Sequence, residues 1–148
     1  MKHLFRGSLF ILSMLLIGCS NEEMTNYEYT FIGEGEYWKA EYLYEGTEIW
    51  GEEEGGITYS NEDSYVLKIT YKGSKEEIQS MENLTFSYDA RVNEGSRVME
   101  FTEPHNDITF EISGGGTGAK VQEADIIKVN VNWDAFEETF ELIKQERY

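Results

Sequence analysis

Apart from carboxylates, few side chains in this chain are able to do chemistry. Its 148 residues hold 29 Asp and Glu against 12 Lys and Arg, with two His and one Cys. Beyond the first three residues His105 is the only histidine, so any Ser-His-Asp arrangement would have to be built on it. Thr102-Glu103-Pro104-His105-Asn106-Asp107 reads as a connection between strands, and no nucleophile-elbow sequence is present. A zinc site would need carboxylates for nearly all of its ligands, which is not zinc's usual preference. Carboxylates could furnish a glycosidase-like acid/base pair, but 29 candidates without geometry single out none. No catalytic residue, metal ligand set or cofactor is therefore assigned.

Two stretches invite a binding role. Glu52-Glu53-Glu54 sits in the acidic glycine loop Gly51-Glu52-Glu53-Glu54-Gly55-Gly56. It could reach a hard cation such as Ca²⁺, yet it lacks the alternating Asp/Asn ligands of a calcium loop, which favours a solvated loop. Trp50 adjoins that loop and is the tryptophan expected to be exposed, while Trp38 and Trp133 lie at strand spacing and are expected in the core. Trp50, Glu52, Glu53 and Glu54 are the candidate ligand or partner contacts. Gly114-Gly115-Gly116-Thr117-Gly118-Ala119 formally matches a dinucleotide fingerprint, but the following Lys120–Asp125 stretch is too short and polar for the crossover helix that motif requires. It reads as an inter-strand loop.

The elements that would position these residues are strands. From Tyr27 the dominant period is two. Trp38, Ala40, Tyr42 and Tyr44 alternate before an expected turn at Gly46-Thr47, which leads into Glu48-Ile49-Trp50. A turn is also expected at Asn61-Glu62-Asp63-Ser64. Tyr65–Lys72, Leu84–Ala90, Ile108–Ile112 and Ile127–Trp133 alternate clearly, and Val98–Phe101 does so weakly. Ser74-Lys75-Glu76-Glu77 fits a helix capping box, followed by Ile78 and Met81 at helical spacing. The closing stretch reads either as a helix with Phe136, Phe140 and Ile143 on one side, or as a hairpin turning at Asp134–Glu137 with Phe140 and Leu142 inward. The hairpin is preferred because it supplies the preceding strand with a neighbour. About eight short strands without βαβ spacing predict an all-β, antiparallel sandwich, immunoglobulin-like in general architecture.

The N-terminus has a different organisation. Lys2 and Arg6 precede the apolar run Leu9–Ile17, the layout of a secretory signal peptide. That run is too short to span a bilayer, which takes about 20 apolar residues. It ends in Leu16-Ile17-Gly18-Cys19, which resembles the lipobox of bacterial lipoproteins. The resemblance implies cleavage before Cys19 and a diacylglyceryl group on its sulfur, an anchor of the two-chain kind that holds stably. The expected organisation is a signal peptide over residues 1–18, a lipidated tether over 19–26 and one domain over 27–148. Cleavage would remove two basic residues and no acid, moving the formal charge from −17 to −19. Such acidity disfavours nucleic acid, whose binding depends on Lys and Arg, and disfavours lying flat on an anionic bilayer.

Gly33-Glu34-Gly35-Glu36-Tyr37-Trp38, Val129–Trp133 and Glu138-Thr139-Phe140-Glu141-Leu142 are similar to segments of small membrane lipoproteins of Firmicutes. Gly35 departs from the Ser usual there. The resemblance implies a β-sandwich on the outer face of a Gram-positive membrane, favours the terminal hairpin, and implies no activity. The resulting expectation is a lipid-anchored extracytoplasmic module that binds or scaffolds, attached to the membrane through Cys19, with a basic protein or a cation as partner. Its alternatives are a surface hydrolase using a carboxylate pair and a cation- or ligand-binding lipoprotein.

Overall fold

The computed structural model describes residues 21–146, so the leader and Cys19 lie outside the described residues. Eight strands follow in order: β1 (Glu23–Glu34), β2 (Trp38–Glu53), β3 (Gly56–Tyr71), β4 (Asn83–Asp89), β5 (Glu94–Glu100), β6 (Thr109–Thr117), β7 (Ile127–Trp133) and β8 (Phe136–Lys144). One short helix, α1 (Lys75–Ile78), separates β3 from β4. Ser74 caps it as the capping box predicts, its hydroxyl accepting from the Glu77 amide at 3.3 Å. Among the described residues no helix is long and apolar enough to cross a membrane.

All pairings are antiparallel, and the strands form a single sheet in the order β5-β4-β7-β8-β1-β2-β3-β6. The all-β, antiparallel expectation is therefore met, but the strands are not divided into the two facing sheets of a sandwich. The joint that makes one sheet is short: β1 meets β8 only through Phe31↔Lys144 and Ile32↔Ile143. The end strands β5 and β6 come back together, where Arg97 Nη1 donates to the Glu111 carbonyl at 2.7 Å, and the sheet nearly closes into a barrel. Alternation marks one buried face per strand, which barrels and sandwiches share, so period alone could not separate them.

The buried face is unusually aromatic. Phe31, Trp38, Tyr42, Tyr44, Phe86 and Tyr88 are buried, with Leu67, Ile69, Leu84, Val129, Val131 and Leu142 completing the core. Trp38 is fully buried and Trp133 is 9% exposed, as expected. The terminal stretch is the preferred hairpin: Trp133 pairs with Phe136 across Asp134-Ala135, and Phe140 and Leu142 point inward.

Three expected breaks are instead continuous strand. Gly46 is not a turn residue; it sits inside β2, where a Cβ would lie 2.3 Å from the Tyr27 hydroxyl oxygen and only glycine leaves that space. Asn61–Ser64 lies inside β3, its polar side chains engaged across the barrel mouth: Asn61 Oδ1 accepts from the Gly118 amide at 2.7 Å, and Asp63 Oδ2 accepts from the Tyr44 hydroxyl at 2.7 Å. Gly114–Gly116 belong to β6, where a side chain at Gly114 would strike the Tyr65 hydroxyl. Glycine here marks close approach of rings to backbone, not loops.

Candidate functional site

β2 and β3 are each 16 residues long, more than the barrel wall requires. Their register runs from Trp38↔Tyr71 to Glu53↔Gly56, and the turn between them is Glu54-Gly55. Both turn residues have positive φ, 50° and 79°, the pattern of a type I′ turn whose twist matches the strands it joins. The expected acidic glycine loop is thus a tight hairpin tip, with Glu52 and Glu53 in the strand. β6 covers β3 only as far as Glu62, and β1 covers β2 only as far as Trp50. The last residues, Gly51 to Thr58, project as a two-stranded arm.

Strand parity sorts the candidate residues. Trp50 and Glu52 share the face of β2 that continues the barrel interior, Glu53 lies on the other face, and Glu54 is in the turn. The three glutamates are exposed but do not converge. Trp50 is 45% exposed and packs on Tyr59, ring centroids 4.6 Å apart, with Ile57 82% exposed beside them. Sequence reasoning found Trp50 and missed Tyr59 and Ile57, which reach it only through the register Trp50↔Tyr59.

Beneath this pair the arm is tied to the barrel by charge. Tyr59 donates to Glu48 Oε1 at 3.2 Å, and Lys120 Nζ donates to the same oxygen at 2.9 Å. The Lys120 ammonium also lies over the Tyr27 ring, 4.3 Å from its centroid, a cation–π contact. The hydrogen bond from Lys120 holds the Glu48 carboxyl below the ordinary carboxylate range. Burial opposes the charge on Lys120, but Glu48 and the neighbouring Tyr29 outweigh it and raise its pKa. Deeper in, Tyr44 accepts from the Val121 amide at 3.1 Å while donating to Asp63. Burial, then Asp63, pushes the Tyr44 phenol far up, so it stays a neutral donor.

Below the arm, β1, β2 and β3 wall a shallow concavity of about 930 Å³, with Met24, Asn26, Glu45, Ile49, Ser60 and Glu62 among its lining residues. Two other carboxylates shift with Glu48. Glu123 is lowered by its hydrogen bond from Lys144, and Asp125 is lowered because its bonds from Arg91 and the Gln122 amide outweigh burial. A general acid working near neutrality needs the reverse shift. His105 stacks on Phe101 at 4.0 Å, with both ring nitrogens buried and without a partner among the described residues. In the connection between β5 and β6 it packs against Phe101 and Phe110. Among the described residues no three His, Cys, Asp or Glu side chains converge as a metal site.

No protein-family model matches this chain, and no curated protein or solved structure matches it.

Proposed function

We propose that this chain is a lipid-anchored extracytoplasmic binding module that meets a protein partner at the membrane surface through its projecting arm. The single observation that carries the reading is the half-exposed Trp50–Tyr59 pair at the foot of the arm, with Ile57 and Glu52 next along the same face and Glu53 and Glu54 on the other face and in the turn. Aromatic residues held rigid at a surface, rimmed by polar groups, are the usual anchors of protein interfaces. The acids and the net charge of −17 select a basic partner face.

The anchoring half of the proposal is supported by the lipobox-like Leu16-Ile17-Gly18-Cys19. β1 begins at Glu23, inside the expected tether, and Glu23 pairs directly with Trp50. Four Cα steps of extended chain span about 14 Å. A lipid on Cys19 would therefore hold the arm close to the bilayer, so the partner it meets is itself at the membrane.

Two experiments test these halves. Cys19→Ala should abolish the diacylglyceryl mass and move the protein out of the detergent phase; an unmodified, water-soluble wild type would refute anchoring. Benzoylphenylalanine at position 57, photoactivated on cells, should give a discrete protein adduct that disappears with Trp50→Ala. Replacing the three glutamates with glutamine should weaken it. The same probe at position 98, exposed on β5, serves as control. Identical adducts from both positions, or indifference to Trp50, would refute the arm.

A further inference from the structure

The end of the barrel opposite the arm carries a second concave site. The β1–β2 turn, the end of β3, α1 and the β7–β8 turn meet there around a cleft of about 220 Å³. It is lined by the aromatic residues Tyr37, Tyr71, Trp133 and Phe136, with Glu77 and Asp134 among the remaining lining residues. The rings form a continuous run. Phe136 stacks on Trp133 at 5.6 Å, Tyr37 meets Trp133 at 5.6 Å, and Trp38 bridges Trp133 at 5.8 Å to Tyr71 at 5.3 Å. Phe136 is 62% and Tyr37 44% exposed, so the cleft is open to solvent.

The walls are built to stay in place. Tyr37 sits in a turn whose backbone amides are held by the Glu138 carboxylate: the Tyr37 amide donates to both oxygens at 3.1 and 3.2 Å, and the Trp38 amide donates at 2.9 Å. The Asp134 carboxylate fixes the other lip by accepting from the Glu82 and Asn83 amides at 3.0 Å. Tyr71 donates its hydroxyl to Glu77 Oε2 at 3.2 Å, which seats that carboxylate beside the Tyr71 ring and spends the phenol's proton. The lining is thus aromatic and acidic, four rings with Glu77 and Asp134, beside the smaller Ile78, Ser80 and Met81. Among the described residues Glu77 makes no ion pair. The nearby Lys72 is turned to Glu34 at 3.1 Å and to the Gly35 carbonyl at 2.9 Å.

We infer that this cleft is an aromatic cage for an alkylammonium head, a quaternary or primary ammonium group carried on a small molecule or on a protein side chain. Ring faces attract cations through their quadrupoles, and aromatic cages are the usual receptors for methylated ammonium groups. A carboxylate at the wall supplies the ionic contact, and the volume admits one such head instead of a whole drug-sized ligand. This site goes beyond the arm: it lies at the other end of the strands and needs neither Trp50 nor the hairpin glutamates. On a chain anchored near Glu23 it faces away from the bilayer.

The test uses the full chain in a non-ionic detergent, with tryptophan fluorescence and titration calorimetry as readouts. Choline is the quaternary probe, N-acetyl-lysine amide the side-chain probe, and 3,3-dimethylbutanol the uncharged isostere of choline. At least one cation should bind saturably, and the uncharged isostere should bind at least about fivefold more weakly. Choline alone would indicate a free quaternary ligand, and the lysine probe a protein side chain. Phe136→Ala and Glu77→Gln should each weaken binding at least about fivefold. Both residues are exposed, so an unchanged urea midpoint distinguishes lost binding from lost folding. Trp50→Phe should leave binding unchanged, which separates this site from the arm. Equal binding of the uncharged isostere, no binding of either cation, or indifference to both cleft variants would overturn the inference.

Discussion

Replacing Glu138 gives the most direct test of how this barrel end is built. Its carboxylate accepts from three consecutive backbone amides, Glu36, Tyr37 and Trp38, which the tight turn between β1 and β2 leaves without strand partners. A hydrogen bond to a charged acceptor contributes about 1.5–3 kcal/mol when shielded and less where water can replace it. The Glu36 and Tyr37 amides are open to water, whereas the Trp38 amide is partly buried next to a fully buried indole. Glu138→Ala should therefore cost about 2–3 kcal/mol, most of it from the Trp38 amide. Glu138→Gln keeps one acceptor oxygen and should cost about half as much. In urea, with a slope of about 2 kcal/mol/M, the alanine variant should lower the midpoint by about 1–1.5 M without changing the slope. Gly35 provides the cross-check, since a Cβ there would lie 2.3 Å from the Glu138 carboxyl carbon. Gly35→Ala should push the carboxylate off the amides, and its cost should largely vanish when Glu138 is already alanine. An alanine variant within about 0.5 kcal/mol of wild type, or full additivity of the two, would refute the reasoning.

Trp133→Ala removes a ring packed against Trp38, Tyr37 and Phe136 and should cost about 3–5 kcal/mol in chemical denaturation. Trp50→Ala, at a 45% exposed site, should cost under about 1 kcal/mol; comparable losses would contradict the assigned core. Burial raises the phenols of Tyr42, Tyr44 and Tyr88, so above the ordinary tyrosine range near pH 10 the unfolded chain ionises first. Stability should be flat up to that range and fall as pH rises through it; a barrel equally stable at pH 8 and 11.5 would disprove their protonated burial. Glu48 behaves in the opposite sense: its lowered pKa contributes stability above the ordinary carboxylate range that is lost as pH falls below it. Glu48→Gln should flatten that acid limb, and an unchanged limb would deny the Lys120 pairing. Gly46→Ala, directed at the Tyr27 hydroxyl and the Glu62 backbone, should sharply lower the thermal midpoint or prevent folding; a well-folded variant would mean that the close approach is not required.

Much of the fold was legible along the chain. Alternation at Trp38-Ala40-Tyr42-Tyr44, at Tyr65–Tyr71 and at Ile127–Trp133 marks one buried face per strand, and those residues line the interior. Ser74 announced its helix, because a cap is governed by a few neighbouring residues. Exposure of Trp50 was readable for the same local reason. By contrast, the closing stretch reads as a hairpin and not a helix because the preceding strand needs a neighbour, and its turn is tighter than the expected Asp134–Glu137. Glycine misled at Gly46 and Gly114, since a glycine that admits a neighbouring ring has the same sequence signature as one that turns the chain.

What tertiary structure alone decided is which strands are neighbours. The joint of β1 to β8 and the clip from Arg97 to Glu111 turn eight alternating segments into one nearly closed sheet, and neither contact leaves a periodic trace. Register across the long hairpin set Tyr59 beside Trp50 and distributed Glu52, Glu53 and Glu54 over two faces and a turn. Closure also carried Glu138 to the amides of Glu36–Trp38, about a hundred residues away, and gathered Tyr37, Tyr71, Trp133 and Phe136 around one cleft. Period and composition reflect what each residue faces, whereas a site depends on which distant residues face each other. That pairing is a property of the closed sheet.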